Sequence, residues 1–350
     1  MNEAIQNIAI LILVMVVVMI TYSFHIDKNA VLKLNFSMEE TKCWKGLLAL
    51  FIVLDHLWMK YNLISLSIFH ESAVILVSIF FFFSGYGVSI NIRKNPDYMG
   101  AHFWKKRIGY LLLPMIFLDL IMFLWRAFEG DVNISFWNYL LGKELFNGQT
   151  WYIRELMICY IFFYFLIRKY KESKKVIAGC AAFLTLMNII LYICGYGYQW
   201  YGSNYGFLIG VYAGYQGIWS RKQNKHTLVY AGILSFLMTG ILSILYKIVG
   251  KEADWNLLLT RNAMTFFATI FYICVASVLK IKSGEGDRIS EVSMEIFLVH
   301  MIVIEVCVKC GLDSHPFVFV FMVLVMVIFF SNLYHKLLNY VRRGIYESTH

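Results

Sequence analysis

Residues 73–91 read Ala73-Val-Ile-Leu-Val-Ser-Ile-Phe-Phe-Phe-Phe83-Ser84-Gly85-Tyr86-Gly-Val-Ser-Ile-Asn91, a stretch with no formal charge. From Val74 to Phe83 the run is apolar at every angle around a helix, which leaves no polar side for a surface helix to turn to water. At 1.5 Å per residue a segment of this length approaches the ~30 Å hydrocarbon thickness of a bilayer. A membrane strand would instead alternate over about ten residues. The run therefore predicts a membrane-spanning helix, and comparable blocks recur at 4–22, 44–60, 108–125, 151–168, 175–195, 203–219, 227–247, 261–280, 291–309 and 316–338. The expectation is an all-α integral membrane fold of about eleven transmembrane helices. Composition agrees: 60% of residues are hydrophobic and 15% charged, against roughly 45–50% apolar in soluble domains.

Orientation follows from the basic residues, because loops rich in Lys and Arg stay on the cytoplasmic side. Segments 23–45, 92–107, 168–175, 220–226, 280–290 and the C-terminus carry 23 of the 31, and the other face carries seven. This alternation predicts an outside N-terminus and a cytoplasmic C-terminus in a multi-pass protein of the plasma membrane. The +9 net charge is then mostly topology. It does not indicate nucleic-acid binding, though a basic inner face attracts anionic membrane lipid. The first span has Glu3 and no Lys or Arg before it, which argues for a retained helix rather than a signal peptide. Residues 1–43 are taken as an N-terminal helix with a basic loop, and 44–350 as one membrane domain. The seven cysteines lie mostly in apolar segments, where Cys serves as a small hydrophobe; no metal site or bound cofactor is expected.

Ionisable groups inside a bilayer are expensive and usually face a cavity or a partner. In Lys45-Gly-Leu-Leu-Ala-Leu-Phe-Ile-Val-Leu-Asp55-His56 the eleven-residue step from Lys45 to His56 is three helical turns plus about 20°, so both address one groove, ~16 Å apart. A snorkelling Lys and a packed interhelical His would look the same. Asp55 beside His56 weighs toward chemistry, since a neutral imidazole is the usual general base near pH 7. Trp151, Arg154 and Glu155 share one side of a helix near its outer end. His300 is expected at mid-depth, as a packing residue or a site residue.

Several segments, in order, resemble the family-3 membrane acyltransferases, bacterial enzymes that typically transfer acyl groups to envelope glycans. Lys45 to His56 is similar to that family's basic residue, ten residues, then His, with Lys in the usual Arg position. Phe80-Phe-Phe-Phe83-Ser84-Gly85-Tyr86 resembles its aromatic run ending in Ser-Gly-Phe/Tyr. Phe103-Trp104-Lys105-Lys106-Arg107-Ile108-Gly109-Tyr110-Leu-Leu-Leu-Pro114 is similar to its basic inner segment, with Tyr110 where a second Arg is common. Trp151-Tyr152-Ile153-Arg154-Glu155-Leu156 and Ser293 to His300 resemble two later segments. The resemblance covers about residues 40–305 and implies a ten-helix core, to which helix 4–22 is an addition.

The resemblance implies an acyl-CoA donor, acetyl-CoA by preference, delivered from the cytoplasm, and an acceptor hydroxyl on an envelope glycan or lipid-linked saccharide outside. His56 is then the expected general base, with Asp55 and Glu155 as its catalytic companions, in direct transfer or through an acyl intermediate. Lys45, Lys105, Lys106 and Arg107 suit the donor phosphates, Ser84-Gly85-Tyr86 the donor's close approach, and Trp151, Arg154 and His300 the acceptor. Positive-inside topology explains the basic cluster equally, and tight helix packing explains Gly85. The rival class is a transporter or flippase for a glycan or acylated metabolite.

Overall fold

The computed structural model describes residues 3–26, 36, 38–61, 63–69, 72–130, 133–216, 225–249, 254–283 and 287–347. Lys28, Lys33, Arg221, Lys222 and Lys251, counted above toward orientation, lie outside the described residues. The chain is almost entirely helical. The helices are α1 (Glu3–Thr21), α2 (Met38–Tyr61), α3 (Ser72–Lys94), α4 (Ala101–Arg107), α5 (Leu113–Glu129), α6 (Phe136–Leu141) and α7 (Trp151–Lys169). They continue as α8 (Ser173–Ile193), α9 (Tyr205–Gln216), α10 (Lys225–Val249), α11 (Asp254–Val278), α12 (Asp287–Glu291), α13 (Ser293–Lys309) and α14 (Pro316–Glu347). A helix coincides with each of the eleven apolar blocks, although residues 217–219 of the seventh lie outside the described residues. Among the described residues, seven helices are long and apolar enough to cross a membrane, and Ile5–Thr21 is a shorter apolar one.

Burial divides these helices into an inner and an outer set. α2, α3 and α13 bury most of their side chains, including Phe81, Phe82, Ile52 and Ile296. α1, α8, α10 and α14 turn large apolar side chains outward, among them Met19, Ile193, Leu234 and Phe329. A protein in water would bury these groups; an outward apolar belt suits hydrocarbon.

The tightest helix pair is α3 with α9. Gly206, Gly210 and Gly214 recur every four residues along one stripe of α9, and a Cβ at Gly206 or Gly210 would strike the carbonyl of Ser78 or Phe82. Gly85 answers from α3, where a Cβ would strike the carbonyl of Phe207. Small residues in such stripes let helix backbones touch, which is how helices associate where no water drives them together. Gly210→Leu is expected to cost at least the 1–3 kcal/mol typical of overpacking, about, and to lower the unfolding midpoint in detergent. Gly240→Leu should leave that midpoint nearly unchanged, since nothing lies within 4 Å of a Cβ there.

Two departures from the all-helical reading carry physical reasons. Tyr22–Ile26 and Leu279–Ser283 pair as antiparallel strands β1 and β2, with Phe24 opposite Ile281. The second reads Leu-Lys-Ile-Lys-Ser, an alternation of period two that buries Ile281 while Lys282 stays exposed. Spans 4–22 and 261–280 therefore end at Thr21 and Val278, and the ribbon ties the end of α1 to the end of α11. Lys280 Nζ lies 3.2 Å from Glu40 at the start of α2. The second departure is a π turn at Ile108–Leu112 that joins α4 to α5. Pro114, at the start of α5, has no N–H to give the carbonyl four residues back, which favours a change of helical register. Arg342 Nε donates to the Gly109 carbonyl in that turn at 2.9 Å.

Candidate functional site

The inner helices enclose two cavities in line. Asp55 and His56 of α2, Gln149 of the turn before α7, Trp151 at the start of α7 and Arg261 of α11 line the larger, of about 500 Å³. Lys45, Ser84, Arg107, Tyr152 and Ser293 line the smaller, of about 110 Å³. Val77 of α3 and Phe297 of α13 line both, so these two side chains form the partition between them. The Tyr152 ring packs on Phe297 with centroids 5.3 Å apart. Lys45 and His56 thus stand in separate chambers of one groove, as their spacing on α2 requires.

At the larger cavity, Asp55 divides its two oxygens. Oδ1 accepts from the Ser72 backbone N–H at 2.9 Å and so caps the first turn of α3. Oδ2 lies 3.8 Å from His56 Nδ1. Adjacent residues on a helix point about 100° apart, and only the short reach of the carboxylate closes that gap. The Gln149 side-chain nitrogen sits 3.4 Å from His56 Nε2. An amide nitrogen can only donate, so with this amide orientation Nε2 presents its lone pair and Nδ1 carries the proton toward Asp55. His300 is fully buried and packs edge-on against His56 with centroids 4.9 Å apart. Its Nδ1 donates to the Ile296 carbonyl at 3.1 Å, and its Nε2 has no hydrogen-bond partner among the described residues.

At the smaller cavity, Lys45 Nζ lies 5.7 Å from the centre of the Phe83 ring, and the Arg107 guanidinium lies between the rings of Phe103 and Tyr160, at 5.1 and 4.9 Å. Neither makes an ion pair with a carboxylate among the described residues. Two cations facing one small cavity, held by aromatic faces rather than by acids, suit an anion. Arg107 reaches inward because it ends α4 just before the π turn, while Lys105 and Lys106 stay exposed on the basic face.

Three consecutive residues of the aromatic run point three ways, as 100° steps demand. The Ser84 side chain lines the smaller cavity and donates back to the Phe80 carbonyl at 3.0 Å. Gly85 faces α9. Tyr86 is buried and stacks on Phe82 with centroids 5.7 Å apart. The start of α7 splits similarly. Trp151 lines the larger cavity, whereas Arg154 pairs with Asp119 of α5 at 3.4 Å and donates to the Tyr139 carbonyl at 2.9 Å. Glu155, wholly buried, accepts from Asn204, which also bonds Asn188. Arg154 and Glu155 therefore engage different partners rather than each other, and neither lines either of these two cavities.

Sequence reasoning passed over Arg261, Asp119 and Gln149. A lone Asp inside an apolar block was the signal available for Asp119, since such a group needs a partner. Arg261 stands at the first position of span 261–280, where a lone basic residue is not distinguished from the others counted toward orientation. Gln149 is uncharged in a loop, and nothing in the chain marks it.

Comparison with known proteins adds one match. A family model described as an acyltransferase domain matches residues 40–335. No curated protein matches the chain, and no solved structure matches it.

Proposed function

The chain belongs to acyltransferase family 3 and is a membrane acyltransferase, and from that premise we propose that it moves an acyl group, acetyl by preference, from cytoplasmic acyl-CoA to a hydroxyl of an extracytoplasmic envelope glycan. The observation that carries this reading is the pair of cavities meeting at Val77 and Phe297, one lined by unneutralised cations and the other by an imidazole. The basic face is taken as cytoplasmic and the membrane as the plasma membrane. The donor's phosphates then rest near Lys45 and Arg107, and its pantetheine arm runs along the groove past Val77 and Phe297 toward His56. The ~16 Å between Lys45 and His56 along α2 is a length such an arm covers when extended.

In this reading His56 Nε2 takes the proton of the acceptor hydroxyl as its oxygen attacks the thioester carbonyl. The C–O bond forms, the tetrahedral oxyanion collapses, and the C–S bond breaks. The CoA sulfur leaves with the proton that the imidazolium returns. The Gln149 amide is within reach of the same space and supplies a donor for the oxyanion. Asp55 steadies the imidazolium by its charge. His300, against the ring of His56, and Trp151, at the acceptor end, orient the two participants. Arg154 and Glu155 act through the helices they tie together.

The test uses purified full-length protein in nanodiscs, acetyl-CoA and an envelope-glycan extract, with free CoA thiol as the readout. Acceptor-dependent release of thiol is expected. No release from any acyl-CoA, with glycan movement across vesicles instead, would favour a transporter and overturn the reading.

A further inference from the structure

The larger cavity contains a cation that the reaction just described does not use. Arg261, near the start of α11, is 4% exposed. Its guanidinium carbon lies 3.9 Å from the centre of the Tyr198 ring and 4.9 Å from that of Tyr246, and Nη2 donates to the Tyr246 hydroxyl at 3.0 Å. Its Nε is buried and has no partner among the described residues. Among the described residues no carboxylate lies within ion-pair distance of it. Asp55, the acidic residue on the cavity wall, is engaged with Ser72 and faces His56.

An enclosed guanidinium without a counter-charge is costly, and two tyrosine faces offset only part of that cost. Those faces also fix its plane, while its N–H groups lie around the edge, in the fork that matches the paired oxygens of a carboxylate or phosphate. The walls beside it carry Trp58, Trp151 and Gln199, the aromatic and amide groups that stack on sugar rings and bond sugar hydroxyls.

We propose that the larger cavity is built for an anionic saccharide, with Arg261 gripping a phosphate or carboxylate on the acceptor while a neighbouring hydroxyl meets His56. This rests on the acyl-transfer reading and names the acceptor's chemical class within it. Tyr198 and Tyr246 hold the guanidinium in plane, and the fixed charge selects acidic over neutral glycans at the point of entry.

Full-length protein in nanodiscs would be titrated calorimetrically with three probes: a glucuronate-containing tetrasaccharide, a neutral N-acetylglucosamine tetrasaccharide, and a short polyprenyl-phosphate-linked N-acetylglucosamine. One or both anionic probes should bind about 10- to 100-fold more tightly than the neutral one, the range a charge-assisted contact supplies. Which of the two prevails separates a uronate from a lipid-phosphate source. Arg261→Gln should erase the preference while leaving the neutral probe's affinity within about twofold, and Arg261→Lys should restore part of it. Equal affinity of all three probes for the wild type would overturn the proposal without recourse to any variant. So would an Arg261→Gln protein that keeps the preference or weakens every probe alike. The acyl-transfer reading fails separately, on absence of CoA thiol release from the wild type whatever binds.

Discussion

His56→Ala lowers acceptor-dependent CoA release by about 10²–10⁴-fold, the range that one positioned general base contributes. The expectation follows from His56 lining the larger cavity beside Gln149, with the Nε2 lone pair on that side and the proton on Nδ1 facing Asp55. His56→Gln should do no better, because an amide cannot take up a proton near pH 7. Asp55→Asn gives a graded contrast. At 3.8 Å the carboxylate acts on the imidazole as a charge rather than as a hydrogen-bond acceptor, so its loss should cost only on the order of tenfold. The Asn oxygen can still accept from Ser72 and keep the cap on α3, so folding should survive. Matched unfolding midpoints in detergent, alongside initial rates at saturating acetyl-CoA, check both statements. An Asp55→Asn loss as deep as that of His56→Ala would mean that the carboxylate is as essential as the imidazole, and a His56→Ala enzyme of wild-type rate would remove the base assignment.

The distribution of that machinery explains which parts of it the chain displays in one dimension. Apolar blocks announce helices because hydrocarbon admits almost nothing else, and a helix stands at each block. The β1–β2 ribbon escapes notice because five alternating residues at the end of an apolar block look like the block's last turn. Lys45 and His56 are legible because both lie on one helix, where spacing fixes angle. The same arithmetic misleads at Trp151, Arg154 and Glu155. Their i, i+3, i+4 spacing puts them on one broad side of α7, yet that side borders a cavity, α5 and the turn before α9 in succession, so each residue meets a different neighbour. Arg261 depends on Tyr198 and Tyr246, which come from a loop and from another helix. No periodicity links those three. Groups that serve through a shared helix can be read from sequence; groups that serve through a shared cavity wait for the fold.

The partition between the cavities supplies the second large effect. Val77 and Phe297 are both almost wholly buried, and a pantetheine arm that starts beside Lys45 and ends beside His56 must pass between them. Val77→Trp adds an indole to that gap. Overpacking of this kind costs about 1–3 kcal/mol of stability, which a bundle of this size should tolerate. Transfer, in contrast, should fall on the order of 10²-fold or more, because the thioester carbonyl would stop short of the acceptor oxygen and reactive alignment is lost within an ångström. Acyl-CoA should still bind, since Lys45, Ser84 and Arg107 stay in place below the obstruction. Calorimetric titration with CoA beside the transfer rate separates the two steps. Phe297→Ala moves the other way. Removing that ring joins a 110 Å³ chamber to a 500 Å³ one, so water from the larger can reach the thioester, and acceptor-independent hydrolysis should rise several-fold while transfer declines. Blocked transfer with CoA still bound at one residue, and raised hydrolysis at the other, are what a gate on the donor's path predicts and a merely structural pair does not. If Val77→Trp folds, binds CoA and transfers acetyl at the wild-type rate, the donor does not travel this route.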